Sequence, residues 1–316
     1  MIDVIIPTYN SQDNLVRCLS SISMQTIRNE LKVTLVNDGG SSNKYFVELF
    51  SPMLNIQEIG YEENKGPGYA RRFGYLNTDG EYLVNLDSDD TFLTAFSLQI
   101  LKKNMGMNVI CGTPFLQEMK DKFITVTNKN MIWLHGLMYR RDFLQKHNIL
   151  MNESRANEDV GFNLLCKLCL GEDTINYIDK PTYCWHYYEN SIVRKDIPNY
   201  RDNLSFTGYV ENVIWAFNEA RKRNINTETV LLEKIRIMLN LVISYRKADV
   251  NSPQYSKKNW NLCKKYYNEI FKEVENSITQ EQLMKVYNGY TKDDINTYLS
   301  MKKIYEFLME LNKEEL

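Results

Sequence analysis

Three carboxylates crowd into four positions at Asp87-Ser88-Asp89-Asp90, directly after the apolar run Tyr82-Leu83-Val84-Asn85-Leu86. Acidic groups this close repel one another and are costly to bury unless something compensates them. A divalent cation would do so: oxygen ligands in a partly hydrated site suit Mg2+ or Mn2+ bridging to a diphosphate. The competing reading is a solvated turn that caps a helix over about Thr91 to Ala95, because carboxylates at a helix N-terminus are favourable on their own. A short acidic motif does not by itself separate the two.

Other groups capable of chemistry are scattered along the chain. Glu158-Asp159 follows Asn157 at the start of an apolar-periodic stretch, where the pair would either cap a helix or supply a general base for a hydroxyl. Asp38 ends a β-rich run before Gly39-Gly40; it reads as a turn residue or as a hydrogen-bond acceptor for a nucleobase. Gly66-Pro67-Gly68 feeds a helix in the manner of a phosphate neighbour, and Arg71 and Arg72 follow on that helix. His186 sits among aromatics in Tyr183-Cys184-Trp185-His186-Tyr187-Tyr188, as a packed residue or as a metal or phosphate ligand. His147 looks like a cation at a helix C-terminus.

The elements that must position these groups alternate strand and helix through the first ~100 residues, the pattern of an α/β fold. Val4-Ile5-Ile6, Val33-Thr34-Leu35-Val36, Ile56 to Tyr61 and Tyr82 to Leu86 read as strands. Leu15, Cys18, Leu19 and Ile22 recur on one helical face. Pro7 to Asn10, Asn37 to Gly40 and Asp87 to Asp90 then fall at carboxyl ends of strands, where open α/β sheets bind ligands, so the three clusters are expected to share one crevice. From ~107 to ~195 the signals are mixed, with strands at Val109 to Cys111, Phe123 to Val126 and Thr182 to Trp185. Beyond ~200 helices dominate, including Val230 to Tyr245 and Asp294 to Leu311. Two parts are expected: an α/β catalytic domain over 1–200 and a helical C-terminal region over 201–316, whose Tyr-rich helices fill a core.

A formal net charge of -2 over 316 residues supplies no global positive field, so no nucleic-acid partner is expected. The six cysteines lack a second close pair to complete a thiolate zinc site and read as buried free thiols of a reducing compartment. Met1 runs into Ile2-Asp3-Val4-Ile5-Ile6-Pro7 without a basic leader, and no apolar run approaches the ~20 residues of a membrane span. The chain is therefore expected in the cytoplasm, with peripheral attachment at the inner face of a membrane left open.

As an ordered set, these segments resemble the family 2 glycosyltransferases, which have the GT-A fold. The matching residues are Val4-Ile5-Ile6-Pro7-Thr8-Tyr9-Asn10, Val36-Asn37-Asp38-Gly39, Asn64-Lys65-Gly66 with Ala70-Arg71, Gly80-Glu81-Tyr82, Leu86-Asp87-Ser88-Asp89-Asp90, and Asn157-Glu158-Asp159 with Phe162; they span about residues 1 to 195. The resemblance implies a GT-A-like mixed sheet flanked by helices and an inverting transfer from a nucleotide-sugar, frequently a UDP-sugar. It implies Pro7 and Tyr9 beside the nucleobase, Asp38 hydrogen-bonded to it, and Asn64 and Arg71 supporting the nucleotide. Asp87 would meet the ribose or the metal, Asp89 would ligate the metal, and Asp159, assisted by Glu158, would be the base.

One stretch departs from the family pattern. Where relatives carry an arginine-rich segment, this chain reads Trp185 to Arg194; Ser191 and Arg194 fit a mobile phosphate-closing loop, and His186 replaces the expected basic pattern as a candidate metal or phosphate ligand. Trp133-Leu134-His135-Gly136 occupies the region bordering donor sugar and acceptor, which makes His135 a candidate too. The acceptor would be a glycan, a polymer, a lipid-linked group or a protein, and self-association stays open. Two other function classes compete: a nucleotidyltransferase acting on a sugar phosphate, and a glycosyltransferase-like binding module without turnover. The first lacks a Gly-rich signature after the first strand, and the second does not explain why both acidic motifs are kept.

Overall fold

The computed structural model describes residues 1–188, 205–251, 256–297 and 299–311. They fall into two units, Met1–Asp196 and Ile197–Leu316. In chain order the first unit contains strands β1 (Ile2–Thr8), β2 (Leu31–Asp38), β3 (Ile56–Tyr61), β4 (Tyr82–Asn85), β5 (Thr91–Phe92), β6 (Ile110–Gly112), β7 (Phe115–Glu118), β8 (Phe123–Val126), β9 (Leu137–Arg140), β10 (Ile175–Tyr177) and β11 (Tyr183–Trp185). Its helices are α1 (Gln12–Ser23), α2 (Lys44–Phe50), α3 (Pro67–Leu76), α4 (Ser97–Met105), α5 (Arg141–Lys146) and α6 (Glu158–Cys169).

Seven strands form one mixed sheet in the order β10-β6-β9-β4-β1-β2-β3. Strand β9 is antiparallel to both its neighbours, and every other pair is parallel. This is the expected mixed sheet flanked by helices. Strands β1 and β2 are apolar on both faces because helices cover both, and Leu15, Cys18, Leu19 and Ile22 of α1 are the buried stripe on one side. A second, four-stranded sheet has the order β5-β11-β7-β8.

Strand lengths explain how Pro7 is tolerated inside β1. Pro7 is in register with Val36 of β2, while β4 has already turned away after Asn85. The Ile5 carbonyl accepts from Leu86 N–H on the β4 side, and Pro7, two residues on, faces that same, now vacated, side. Its missing N–H thus costs no ladder bond. The early end of β4 also opens the space into which Asp87 to Asp90 turn.

No helix begins at Thr91. That segment is strand β5, and α4 starts only at Ser97, so the carboxylates do not cap a helix and that reading of the cluster falls. All six cysteines are free and buried, as expected.

The second unit is helical: α7 (Phe206–Lys222), α8 (Glu228–Asn251), α9 (Ser256–Tyr266) continued by a π-helical turn at Tyr267–Phe271, α10 (Gln280–Tyr287), α11 (Lys292–Thr297) and α12 (Met301–Leu311). The single helix expected over Asp294 to Leu311 is two. Tyr266 and Tyr267 are fully buried with their hydroxyls bonded to the Lys234 carbonyl and Glu275, so these tyrosines do fill a core. Among the described residues no helix is long and apolar enough to cross a membrane.

The start of β1 is clamped by a buried ion pair. Arg141 donates to Asp3 at 2.6 Å and also to the carbonyls of Gly80 and Tyr75, while Gly80 N–H reaches the same Asp3 oxygen at 2.6 Å. Arg141→Met leaves the Asp3 carboxylate buried without its cation and should cost about 3–5 kcal/mol in denaturant unfolding. Adding Asp3→Asn should recover part of that loss; an Arg141→Met protein as stable as the wild type refutes the clamp.

Candidate functional site

The loops after β1, β2 and β3 interlock. Asn10, at a left-handed φ of 52°, accepts from Ser41 N–H at 3.0 Å through its side-chain oxygen. Gly39 has φ 72°, and a Cβ there would stand 2.6 Å from Asn64 N, so only glycine lets the β2 and β3 loops meet. Tyr9 remains 53% exposed at the mouth, beside half-buried Pro7. Of the three clusters expected to share a crevice, Pro7 to Asn10 and Asn37 to Gly40 meet at this junction.

Asp38 organises this junction. It is 4% exposed and accepts four hydrogen bonds: from Tyr61 Oη (2.8 Å), Asn64 Nδ2 (3.1 Å), Lys65 N (2.7 Å) and Gly66 N (2.9 Å). Burial, then the Asp38 carboxylate, raises the Tyr61 hydroxyl's pKa far above its usual range. Asn64 is held in turn by Arg155, which donates to its side-chain oxygen and its carbonyl, both at 2.7 Å. The Gly66-Pro67-Gly68 entry to α3 is pressed onto the same 152–155 segment: a Cβ on Gly68 would sit 2.2 Å from the Asn152 carbonyl oxygen.

Helix α3 then delivers Arg71 inward, 5% exposed. Its guanidinium donates to Asp87 Oδ1 at 2.5 Å and to Glu158, and so joins the end of β4 to the first turn of α6. Burial opposes the charge, but Asp87, Glu158 and Asp159 outweigh it and hold Arg71 firmly protonated. Burial likewise opposes ionisation of Asp87, yet Arg71 and His135 pull its pKa well below the usual carboxylate range.

The remaining acids behave in the opposite sense. Burial and then Asp87 raise Asp89; burial and then Asp89 and Asp87 raise Asp90 well above the usual range. Asp90 is tied down, accepting from Tyr183 Oη at 2.6 Å and His186 N at 2.9 Å. Asp89 has no side-chain partner among the described residues, and its carbonyl accepts from Arg17 at 2.7 Å. Clustered, mutually repelling oxygen donors of this kind fit a hard divalent cation.

His135 adjoins them, stacked on Tyr183 with centroids 4.5 Å apart. Its Nε2 is 3.6 Å from Asp87 Oδ2 and 3.9 Å from Asp90 Oδ2, and ligand atoms of Asp87, Asp90 and His135 all lie within 4.8 Å of one another. Its Nδ1, however, is buried without a partner. A ligating histidine normally donates from its other ring nitrogen, so ligation through Nε2 would bury an orphan N–H. Nε2–H directed at Asp87 leaves only an unused lone pair, and His135 is better suited to holding Asp87 than to holding a cation.

His186 has both ring nitrogens engaged, Nδ1 with Glu118 at 2.9 Å and Nε2 with Thr91 at 2.8 Å, and it lies outside the Asp87–Asp90–His135 group. Ser191 and Arg194 lie outside the described residues.

Asp159 opens α6 behind Asn157, which takes a left-handed φ of 56°. It is half-buried, and burial, then the neighbouring Glu158, pushes its pKa up to about 7, against the pull of Arg71. Glu158 itself is 6% exposed and committed to Arg71. Tyr61, Arg155, Arg17, Glu118 and Tyr183 had no signal beyond their nearness to the motifs; their partners lie between 23 and 93 positions away in the chain.

Residues 3–156 match the family described as Glycosyl transferase family 2. An uncharacterized glycosyltransferase of Haemophilus influenzae is 25% identical over 252 residues, 73% of this chain and 83% of the relative. Other relatives are matched over less of their own length: this chain spans 63% of the putative glycosyltransferase EpsH of Bacillus subtilis (22% identical, 61% of this chain) and 13% of glycosyltransferase GlyA of Streptococcus pneumoniae (39% identical, 28% of this chain). S. aureus TarS, solved in complex with UDP, superposes with a TM-score of 0.66 at 17% identity over 97% of this chain and 89% of that one; the same protein is also solved with UDP-GlcNAc. The mannosyltransferase PcManGT of Pyrobaculum calidifontis, in complex with GDP-Man and Mn2+, superposes with a TM-score of 0.52 at 12% identity over 98% of this chain and 85% of that one. At these identities the superpositions show a shared fold.

Asp38→Asn places an amide where four donors converge and should cost about 2 kcal/mol. The Lys65 and Gly66 amides should then exchange with deuterium roughly tenfold faster or more; unchanged protection at both would show that Asp38 does not hold this loop.

Proposed function

We propose that this chain, which belongs to glycosyl transferase family 2, transfers a sugar from a nucleotide-sugar to an acceptor hydroxyl in one inverting displacement. The observation that carries the mechanism is the buried Arg71 bridge. One guanidinium fixes Asp87, at the head of the acidic cluster, and Glu158, adjacent to Asp159, so diphosphate end and base end are held by a single group.

In this reading Pro7 and exposed Tyr9 border the nucleobase, and Asn64 and Asp38 shape its floor. Asp38 reaches a base by exchanging one of its four present donors. Arg71 supports the nucleotide through Asp87, since both its carboxylate contacts are internal. Asp87 and Asp89 are the residues suited to hold Mn2+ or Mg2+, which when bound stabilises charge developing on the leaving diphosphate. Asp159 takes the proton from the acceptor hydroxyl as that oxygen attacks the anomeric carbon from the face opposite the diphosphate. A carboxylate with its pKa near 7 is a far stronger base than one near 4, yet it is substantially ionised at neutral pH.

A UDP-sugar of hexosyl or N-acetylhexosaminyl type is our choice of donor, supported by the UDP and UDP-GlcNAc complexes of TarS. The Mn2+ complex of the mannosyltransferase supports the cation. Catalysis is assigned to residues 1–200, with the helical region 201–316 as an accessory part. Six buried free thiols suit the cytoplasm.

Donor hydrolysis across a panel of nucleotide-sugars with Mn2+ identifies the donor. Asp159→Asn should lower turnover by about 10²–10⁴-fold while calorimetric UDP affinity survives; full turnover would remove Asp159 from the base role. For Asp89→Ala, loss of both turnover and cation response is expected, whereas a metal-independent wild type overturns the role given to the cluster. Asp159 must be ionised to act, so the rate should climb about tenfold per pH unit below an apparent pKa near 7 and level off above it. A profile flat from pH 5 to 8 contradicts the assignment.

A further inference from the structure

The β7–β8 hairpin carries an unusual concentration of exposed apolar side chains. Every residue from Met119 to Thr125 is exposed, with Phe123 at 56%, Met119 at 38% and Ile124 at 37%. Phe123 and Ile124 are successive strand residues, so they point to opposite faces of the hairpin, and both are in solvent. The hairpin therefore stands clear on two sides. The tight turn, closed by Met119 N–H to the Lys122 carbonyl at 2.7 Å, presents Lys120, Asp121 and Lys122 next to Phe123, all exposed.

The base of the same hairpin is built into the catalytic cluster. Glu118, opposite Phe123 in the pairing, accepts from the His186 ring at 2.9 Å, and His186 N–H donates to Asp90 at 2.9 Å. Exposed Arg17, bonded to the Asp89 carbonyl, adds a further positive group on this rim; its charge is felt at Glu118 and His186. In a chain of net charge -2 the apolar tip thus carries two lysines against one exposed acid, Asp121, while Glu118 is taken up by His186 and Arg17 adds a positive charge at the hairpin's base.

We propose that the Met119–Phe123 tip docks on an anionic lipid bilayer. Phe123, Met119 and Ile124 would enter the interfacial layer, and Lys120, Lys122 and Arg17 would face acidic headgroups. Cationic side chains flanking a small apolar insertion match that surface in charge and in chemistry. A flat protein partner would cover one face of the hairpin and leave the other apolar side chain in water, whereas a bilayer interface surrounds the tip. Docking there holds the mouth at Asp87 to Asp89 close to the lipid headgroups, where a lipid-linked acceptor would be presented. The docking is independent of the sugar-transfer reading, since it needs no turnover to be seen.

Co-sedimentation of the full chain with vesicles tests this. Binding is expected to phosphatidylcholine vesicles containing phosphatidylglycerol, weakening as salt rises, and not to phosphatidylcholine alone. Phe123→Ser and Lys120→Glu/Lys122→Glu should each weaken it by about tenfold or more, because each basic residue near an anionic surface is worth close to a factor of five. Lys44→Glu/Lys103→Glu, the same charge change on distant helices, should leave most of the binding. Donor hydrolysis of the hairpin variants is measured alongside and should match the wild type. The proposal is overturned if anionic vesicles do not pellet the protein, or if the distant pair loses as much binding as the hairpin pair. It is equally overturned if light scattering shows a dimer that Phe123→Ser dissociates, which would give the tip to a second copy of this chain.

Discussion

The site depends on one buried cation. Arg71 is enclosed by α3, the end of β4 and the start of α6, and its guanidinium spans two carboxylates that come from opposite sides of the crevice. A guanidinium suits this because its fixed fork makes two directed, charge-assisted bonds at once, which an ammonium cannot reproduce with the same geometry. Removing it would strand Glu158 in the interior and release Asp87 towards its acidic neighbours. Stability and the proposed catalytic geometry are therefore vested in the same contact, and neither can be altered at residue 71 without the other.

A second constraint is the convergence of loops that carry few side chains of their own. Asp38 replaces a hydrophobic core for this junction, gathering two backbone amides, an amide side chain and a phenol onto one carboxylate. Charge-assisted bonds of this kind are the stronger class, and four on one buried group make the loop stiff where an apolar contact would leave it free to slide. Arg155 secures Asn64 from the far side, so the loop is held from β2 and from the segment preceding α6.

The strands, the polar clusters at their ends and the acidic pairs were legible in the sequence, because each is a local pattern: an apolar run, its terminator and the group delivered there. The order of those clusters carried the family resemblance. Long-range pairing was not legible. Arg71 reads as a surface arginine in its helix until Asp87 and Glu158, 16 and 87 positions away, are brought onto it. Asp38 looks like a turn acid because nothing nearby shows that its four donors arrive from residues 61 to 66. The helix expected after Asp90 failed for a related reason: Phe92 and Tyr183 are drawn into a second sheet, a tertiary pairing that overrides a local capping signal.

The charge balance of the crevice favours a cation in the proposed reaction. Arg71 sits between Asp87, which adjoins Asp89 and Asp90, and Glu158, which adjoins Asp159, and it is already consumed by two of these acids. The acids respond unequally: Asp87, beside Arg71, stays ionised, while Asp89, Asp90 and Asp159 are pushed towards their protonated forms. A negatively charged diphosphate approaching such a group meets repulsion; Arg17, held on the Asp89 carbonyl, draws the Asp89 pKa down, but burial and Asp87 outweigh it. In the proposed reaction, protonating Asp89 would relieve the repulsion but discard the ligand, whereas a hard divalent ion would keep the oxygens ionised and attract the diphosphate. Glu158 holds Arg71 in place of Asp159 and leaves the adjacent carboxylate half-buried with its pKa raised, as the proposed base role requires.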